Sequence, residues 1–446
     1  MSEVTAPPSE MVEELPLYLP GGSEESCNQA YREDPLNFQL EGYRQCGPIF
    51  RTYFRNRMWV VLAGPDANNF IWQKPELWNY AEPNAPFLEE MGPNHVTGLD
   101  GDPHKEKRAY LKPAFTMSSA MKHMPAFHQV FRNGIDEVCR SEQPVDIIPF
   151  WAELITWGNS RTVAQAEIPK DVTQRMTRWE VQMLRGLFLD DSKASYYERE
   201  EYRRLRKETF EWLGKIVDER LEAPTDIDDN YSEILKLRLD AEGDSVSRDH
   251  LINDLYFVLL AGTDNTAALI NFAIMELYST PRWIDWLREE LDAWDGENVM
   301  ELQSMSRLKA VIMETQRIRP GALQLFKYAI KPFEFGGYQV PANTDVLHLN
   351  NLGHFLEEFY PDPLTFNPER FIEKQRFVPK TFGFFGGGSH VCLGRNHTLM
   401  QTPLVLANLF KHWDLEFSEP INRHLEASYS GGRIEKAVMA HIRTRS

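Results

Sequence analysis

The chain has 446 residues and a mass of 51.8 kDa, and its 42% hydrophobic and 26% charged residues exclude disorder, collagen and coiled coil as its main structure. Its 66 acidic and 48 basic residues give a net charge of −18, so binding to nucleic acid is not expected. No apolar run reaches the roughly 18 residues of a membrane span, and the acidic start is unlike a secretory signal, so we expect a cytoplasmic protein without a transmembrane anchor.

The first part of the chain is predicted to contain an arm, a hairpin and many helices. Residues 1–26 are rich in Pro, Gly and Glu and predict an N-terminal arm ahead of one domain at 27–446. Residues 48–62 place β-branched and aromatic side chains around Asn56, which predicts a β-hairpin. Helical patterns dominate from about 103 to 320, with an acidic loop at 222–233. Apolar residues three and four apart over 251–275 predict one long helix through the core.

After Pro320 the pattern changes to strands and turns, with a second hairpin predicted at Gly336 and Gly337. A Pro-punctuated stretch and a Gly-rich loop follow, and a helical pattern then runs to about residue 412. Pro403 lies inside that pattern and predicts a kink or an earlier helix end. Helices first and strands late, without a linker, predict a single mainly α domain with a small β region.

The cysteines point to one unusual loop. Cys27, Cys46, Cys139 and Cys392 are far apart and form no C-x-x-C pair, so a disulfide framework or a zinc site has little support. Cys392 follows three consecutive glycines and precedes Gly394 and a predicted helix. A thiolate is stabilised near a helix N-terminus, and a lone thiolate suits an axial metal ligand such as that of haem iron. A phosphate-binding loop would need a G-K-[ST] or G-x-G-x-x-G pattern, which this loop lacks.

This loop resembles the haem loop of the cytochrome P450 family, F-x-x-G-x-x-x-C-x-G, at Phe385, Gly388, Cys392 and Gly394. The resemblance covers nearly the whole chain from about residue 27. It implies the P450 fold, a single large triangular domain in which haem b is buried between a long central helix and the cysteine loop. It also implies that Cys392 ligates the haem iron.

A charged triad is the second part of the resemblance. Glu314 and Arg317 match the E-x-x-R element of the family, and positions three apart share one face of a helix. Arg370, in the segment Asn-Pro-Glu-Arg-Phe, matches the third member of the triad. In the family this triad braces the proximal side of the haem, so its implied role is structural.

Four residues match positions that hold the haem propionates. His104 and Arg108 are four residues apart, so both lie on one face of a predicted helix and the resemblance implies that both donate to the propionates. His390 would be a further partner. Lys327 stands where the family commonly has Arg, and it would pair with a carboxylate as a point charge.

The segment from Ala261 to Thr266 interrupts the apolar stripe of the predicted long helix with polar residues. A glycine inside a helix costs about 1 kcal/mol relative to alanine. In the family this segment reads A/G-G-x-D/E-T, lies over the haem and leaves a groove for dioxygen. Asp264 matches the acid that helps deliver protons, whereas Asn265 replaces the Thr and cannot ionise. Thr266 lies about 100° further around the helix. Asp264, Asn265 and Thr266 are the predicted catalytic residues.

The resemblance implies a haem-thiolate monooxygenase that inserts one atom of dioxygen into a hydrophobic small molecule. Residues 83–95 correspond in position to the loop that caps the pocket in the family. The candidate pocket residues are apolar and predict steroid, terpenoid or fatty-acyl substrates, in that order. They are Phe87, Leu88, Met91, Phe188, Leu189 and Ala261.

Similar members of the family without a membrane anchor are mostly bacterial and soluble, and they usually receive electrons from NAD(P)H through a ferredoxin or flavodoxin and its reductase. We expect this chain to be a monomer. The basic residues Lys105, Lys107, Arg108 and Lys112 could dock such an acidic partner, or could be an ordinary solvated helix face. Two alternative functions stay open. Asn265 favours a peroxygenase or isomerase that acts on a peroxide substrate, and the other alternative is a non-catalytic protein that binds haem or a lipophile.

Overall fold

The computed structural model describes residues 12–55, 57–188, 197–222, 228–372, 380–421, 427–428, 433–434 and 436–445, with only the backbone at 185–188. Helices dominate these residues. In chain order they are α1 (Glu24–Glu33), α2 (Pro35–Cys46), α3 (Pro65–Gln73), α4 (Ala85–Met91), α5 (Gly101–Leu111), α6 (Met117–Ser141), α7 (Ile147–Thr162), α8 (Lys170–Phe188), α9 (Glu200–Glu222), α10 (Asn230–Glu242), α11 (Arg248–Leu259), α12 (Thr263–Ser279), α13 (Arg282–Leu291), α14 (Ser306–Ile318) and α15 (Arg395–His412).

The strands are short. In chain order they are β1 (Leu17–Tyr18), β2 (Ile49–Phe54), β3 (Arg57–Ala63), β4 (Trp78–Asn79), β5 (Val145–Asp146), β6 (Leu325–Ala329), β7 (Phe333–Phe335), β8 (Tyr338–Val340), β9 (Thr344–Leu349), β10 (Trp413–Phe417), β11 (Ala427–Ser428), β12 (Arg433–Ile434) and β13 (Met439–Thr444). The largest sheet has the order β1-β2-β3-β9-β6-β4, and β10-β13-β5 form a second sheet. The pairs β7-β8 and β11-β12 stand separately.

Both predicted hairpins are confirmed. Strands β2 and β3 pair antiparallel, with Ile49 opposite Leu62. Strands β7 and β8 also pair antiparallel around Gly336 and Gly337, whose φ values of 61° and 84° require glycine-like freedom. The predicted arm at 1–26 is described only from residue 12. In it, β1 pairs parallel with β2, so this part of the arm belongs to the largest sheet.

The prediction of one long helix over 251–275 is wrong. The chain forms α11 and α12, and the two helices are separated by the break at residues 260–262. By length and composition the stretch Arg248–Ser279 could cross a membrane, but 78% of its apolar window is buried inside the protein. It is therefore a core element, as the apolar stripe predicted.

Two other boundaries differ from the sequence predictions. Helix α15 continues through Pro403, so the predicted early end is wrong. Leu404, Val405 and Leu406, which follow the proline, are fully buried, and this packing offsets the cost of the lost backbone donor. In the predicted acidic loop at 222–233, residues 223–227 lie outside the described residues, and α10 already begins at Asn230.

Two hydrophobic clusters surround the region where α11, α12 and α15 meet. The central cluster joins buried residues of α6, α7, α12, α13, α14 and α15. The α8–α9 cluster joins buried residues of α4, α8, α9, α10 and α11. Its large members include Phe87, Met91, Trp179, Met183, Tyr202 and Tyr256. The α8–α9 cluster contains most of the buried apolar residues of α11, before the break, and the central cluster contains those of α12, after it.

Candidate active site

The Gly-rich loop packs directly on the end of α3. Gly386 and Gly388 have φ values of 65° and 64°, a conformation that other residues rarely adopt. A Cβ atom on Gly387 would lie 2.4 Å from the Trp72 ring, and one on Gly388 would lie 2.6 Å from the Trp72 carbonyl oxygen. The glycines are therefore needed both for the turn and for the close approach to Trp72.

This loop places Cys392 at the start of α15. The Cys392 amide donates to the Phe385 carbonyl oxygen at 2.9 Å, which closes the loop. Burial raises the pKa of the thiol, whereas the backbone N–H groups of Gly394 and Arg395 and the nearby Arg108 lower it. The side chain nevertheless keeps accessible surface, although protein surrounds the sulphur. A thiol in this position is suited to ligate a metal as a thiolate.

Three aromatic rings are stacked beside this loop. His390 lies between Tyr80, at a ring-centroid distance of 3.6 Å, and His104, at 3.8 Å, with interplanar angles of 10° and 11°. Burial is the main cause of the low pKa values of His104, about 4, and His390, about 2. Both imidazoles are therefore neutral at physiological pH in this environment. The sequence predicted His104 and His390 here but gave no signal for Tyr80.

Lys327 completes this group. Its Nζ lies 4.0 Å from the centroid of the Tyr80 ring, and burial lowers the pKa of Lys327 to about 7, although Asp100 raises it. The Asp100 carboxylate accepts hydrogen bonds from the Tyr80 amide at 3.0 Å and from Asn79 at 3.1 Å, and it lies 3.8 Å from His390. Arg108 donates to the Val391 carbonyl oxygen at 2.9 Å, which ties α5 to the cysteine loop.

The charged triad forms as the resemblance implied. Arg317 Nε donates to Glu314 Oε2 at 2.7 Å, and Arg370 Nε donates to Glu314 Oε1 at 3.0 Å. All three side chains are buried. Arg317 also donates to the carbonyl oxygens of His354 and Pro363, so the buried charges are paired and hydrogen-bonded. The triad thus fixes the segments between α14 and the cysteine loop.

The helix break lies between α11 and the predicted catalytic residues. Gly262 has a φ of 95° and precedes the first residue of α12, and a Cβ atom there would meet nothing within 4 Å. The Thr263 amide donates to the Leu260 carbonyl oxygen at 2.9 Å, which is one residue closer than in a regular helix. Gly262 therefore allows α11 to end and α12 to begin as a separate helix, next to an open space.

The three predicted catalytic residues do not share one environment. Asp264 is buried, whereas Asn265 keeps accessible surface and faces Gly321, where an added Cβ would lie 3.7 Å from Asn265 Oδ1. Thr266 is also buried, and its hydroxyl lies 3.1 Å from that of Thr398 on α15. The Thr266 hydroxyl therefore joins α12 to α15, and its catalytic role stays a prediction.

The candidate pocket residues belong mainly to the α8–α9 cluster. Phe87 and Met91 of α4 are buried in it, and Leu88 and Ala261 pack against it. The side chain of Phe188 and the whole of Leu189 lie outside the described residues. The predicted capping segment is thus a short helix with its apolar face turned inward.

Helix α4 is also tied to α9, which the sequence did not predict. Tyr202 donates to Glu90 Oε2 at 2.8 Å, and Arg206 donates to the same oxygen at 2.9 Å and to the Glu90 carbonyl oxygen at 2.8 Å. These contacts hold α4 over the α8–α9 cluster.

The predicted basic docking cluster is smaller than its sequence suggested. Lys107 is buried and pairs with Asp254 of α11 at 2.6 Å. Asp254 also contacts Arg238 of α10, which pairs with Glu242 at 2.5 Å. Lys107 is therefore an interhelical contact, and only Lys105 and Lys112 of the four basic residues are exposed.

Comparison with known proteins decides the family. Residues 181–432, more than half of the chain, match the model of the family described as Cytochrome P450. The chain belongs to the cytochrome P450 family. It is therefore a P450 monooxygenase that depends on haem iron, and the predicted family and enzyme class are confirmed.

Individual P450 relatives match over most of their length. The chain is 22% identical to the sterol 14alpha-demethylase of Mycolicibacterium vanbaalenii, covering 92% of this chain and 93% of that protein. It is 23% identical to the taxane 10-beta-hydroxylase of Taxus cuspidata, and the match covers 85% of this chain and 79% of that protein. The structure of retinoic acid-bound cyanobacterial CYP120A1 superposes with a TM-score of 0.80 at 21% identity. The match covers 94% of this chain and 96% of that chain. This last match confirms the predicted P450 fold.

The residues of this P450 fit a haem. Cys392 would supply the thiolate. Burial disfavours the charged forms of His104, His390 and Lys327, and the nearby Arg108 adds to this for the two histidines. Two haem carboxylates would offset this unfavourable environment, because a nearby negative charge favours the cationic form of each group. Tyr80 adds a flat ring to the same group.

Proposed function

We propose that this P450 binds haem b through Cys392 and hydroxylates an isoprenoid-derived compound of the steroid or terpenoid class. We also propose that it works in the cytoplasm as a monomer and takes electrons from NAD(P)H through a ferredoxin or flavodoxin and its reductase. The proposal depends mainly on the side chains that would hold the haem. A thiol that keeps accessible surface lies at the start of α15, beside a buried group of side chains, His104, His390 and Lys327, whose cationic forms a nearby negative charge would favour.

The haem iron with its thiolate ligand supplies the activation of dioxygen, and thiolate donation favours cleavage of the O–O bond. The chain's own residues would hold the haem in its orientation and carry protons to the site. His104, His390 and Lys327 would hold the haem carboxylates. Asp264 is placed to carry a proton at its carboxylate, and the amide of Asn265 can hydrogen-bond a water molecule or oxygen but cannot donate an acidic proton. Proton transfer would therefore run through Asp264 and ordered water.

The substrate class is supported by two observations. The α8–α9 cluster supplies apolar side chains, which suits a hydrophobic ligand. The three proteins compared above are named for a sterol, a taxane and retinoic acid, and all three compounds are built from isoprene units. We therefore place steroids and terpenoids ahead of fatty-acyl compounds.

The proposal is tested by an absorption titration of the purified ferric protein with cholesterol, a taxane diterpene, retinoic acid and palmitic acid. We expect a saturable shift toward high spin with at least one isoprenoid compound and none with palmitic acid. That compound is then incubated with NADPH, a ferredoxin and its reductase, and a hydroxylated product is expected. A shift with palmitic acid alone would overturn the isoprenoid class, and a bound isoprenoid without any product would overturn the hydroxylation.

Asn265 favours a second candidate function, a peroxygenase or isomerase that uses a peroxide substrate. The two functions differ in what turnover requires. If product forms with hydrogen peroxide alone and not with NADPH and redox proteins, the second function is correct. N265T is the matched variant, because it restores a hydroxyl at the cleft: it should favour NADPH-driven product over peroxide-driven product.

A further inference from the structure

The break between α11 and α12 leaves a backbone acceptor without its helical donor. In a regular helix the Leu259 carbonyl oxygen would accept from the Thr263 amide, four residues on. Here the Thr263 amide donates to Leu260, and the Ala261 amide reaches back to Tyr256 at 3.3 Å. Leu259 is buried, and a buried carbonyl without a partner is costly.

A side chain from another helix supplies the missing donor. Asn159 of α7 donates from Nδ2 to the Leu259 carbonyl oxygen at 2.9 Å. Gln401 of α15 in turn donates from Nε2 to Asn159 Oδ1 at 2.9 Å. Both amides are buried, so this two-step chain is shielded from water. The Thr263 hydroxyl adds only a long contact of 3.4 Å to the same carbonyl.

The other side of the break is held from the same helix. Thr398 of α15 shares a hydrogen bond of 3.1 Å with Thr266 of α12. Thr398 and Gln401 are three residues apart, so they lie on one face of α15. That face therefore contacts α12 directly and α11 through Asn159. Helix α15 starts three residues after Cys392.

We propose that Asn159, Gln401 and Thr398 are positioning residues for oxygen activation. They hold the break between α11 and α12 in its open geometry and keep Asp264 and Asn265 in a fixed position relative to the helix that follows Cys392. None of the three ionises, so their effect is independent of pH. This inference depends on the haem-thiolate site and not on the substrate class proposed above.

The variant N159L removes the donor while nearly keeping the side-chain volume. N271L is the matched control, because Asn271 of α12 also donates across to α7, to the Ile148 carbonyl oxygen at 3.2 Å, but lies away from the break. Two measurements on the haem-loaded protein do not need a substrate. One is the infrared stretch of carbon monoxide bound to the reduced haem, and the other is hydrogen exchange of the amides at 259–266.

We expect N159L to displace the carbon monoxide band and to change amide exchange at the break by about tenfold, the effect of losing one buried hydrogen bond. N271L should leave both at wild-type values. With NADPH, ferredoxin and reductase, N159L should also release more peroxide per NADPH oxidised, by the same factor at pH 6.5 and pH 8. An unchanged band and unchanged exchange in N159L, or equal changes in N271L, would overturn the proposal.

Two further variants decide the matter if N159L does not bind haem. Q401L keeps the Asn159 contact with Leu259 but loses its support, so a smaller displacement of the band in the same direction is expected. T398V removes only the contact with Thr266 and should change exchange at residues after Thr263. If neither variant differs from wild type, the three residues do not position the break. In the N159L/Q401L double variant, additive effects would show that the two amides act independently and would contradict the proposed chain.

Discussion

The buried carboxylate of Asp254 allows a quantitative test of how α5 is held. Its side chain has 0% exposure, and it pairs with Lys107 of α5 at 2.6 Å and contacts Arg238 of α10. The variant D254N keeps the shape of the side chain but removes its charge. Lys107 and Arg238 would then be two buried cations without their counter-charge, although Arg238 keeps Glu242.

The expected loss follows from this geometry. Breaking a buried ion pair by removing one partner costs about 3–5 kcal/mol. With an unfolding entropy of about 2.1 cal/mol/K per residue, a chain of this length should lose about 3–5 °C in Tm. K107M should cost less, because Asp254 keeps Arg238. The control is D102N, which removes a solvent-exposed pair with Lys105 and should leave Tm close to the wild-type value.

The assay is thermal unfolding of the haem-loaded protein, followed by haem absorbance and by far-ultraviolet circular dichroism. Because α5 carries His104 and Arg108, the haem signal of D254N should be lost at or below the temperature at which helicity is lost. If D254N unfolds at the same temperature as D102N, the Lys107–Asp254 contact does not stabilise the fold and the reasoning is refuted.

Three further outcomes are expected. Burial lowers the pKa of Lys327 to about 7, and haem carboxylates would favour its charged form, so its contribution to haem affinity should be complete below pH 7 and be lost as the pH rises above it; haem transfer to apomyoglobin measures the affinity, and K327M should reduce the loss above pH 7. G388A should abolish the absorbance of the carbon monoxide complex, because its Cβ would lie 2.6 Å from the Trp72 carbonyl oxygen. G394A is the control and should give a normal spectrum, because its Cβ would lie 3.9 Å from the Cys392 sulphur, an ordinary contact distance. T266V should cost about 1 kcal/mol in urea unfolding but keep product formation per NADPH above half of the wild-type value, because the Thr266 hydroxyl contacts Thr398; a complete loss of product would support the predicted catalytic role of Thr266.

Residues with short, fixed spacing could be predicted from the sequence. Glu314 and Arg317 lie one helical turn apart, so a helix alone brings them together. The glycines before Cys392 mark it in the sequence. Their close approach to Trp72 explains why glycine is needed there. The resemblance to P450 enzymes supplied the remaining member of the triad, Arg370, which no local pattern places near Glu314.

The break between α11 and α12 could not be predicted in the same way. The spacing of the apolar stripe stays in phase across residues 260–262, so periodicity indicates one helix. Gly262 and the polar residues that follow it mark the place in the sequence but do not show that the helix ends there. The partner that stabilises the break, Asn159, is about a hundred residues earlier in the chain. Contacts of this kind depend on tertiary packing, which a single sequence does not display.

Charge patterns were equally ambiguous. Lys105, Lys107 and Arg108 form one basic run, yet Lys105 faces solvent, Lys107 is buried against Asp254, and Arg108 bonds the cysteine loop. The run therefore has three different roles, which only the orientation of α5 separates. Tyr80 gave no signal at all, because a stacking contact with His390 requires no special spacing.

The division between the central cluster and the α8–α9 cluster has a consequence for how this enzyme can diverge. The triad and α15 pack with the central cluster, whereas most candidate pocket residues belong to the α8–α9 cluster. Substitutions in α4, α8 or α9 can reshape the pocket while the cysteine loop and the helix break keep their supports. New substrate preferences can therefore accumulate in the α8–α9 cluster while the residues of the central cluster, which support the chemistry, stay the same.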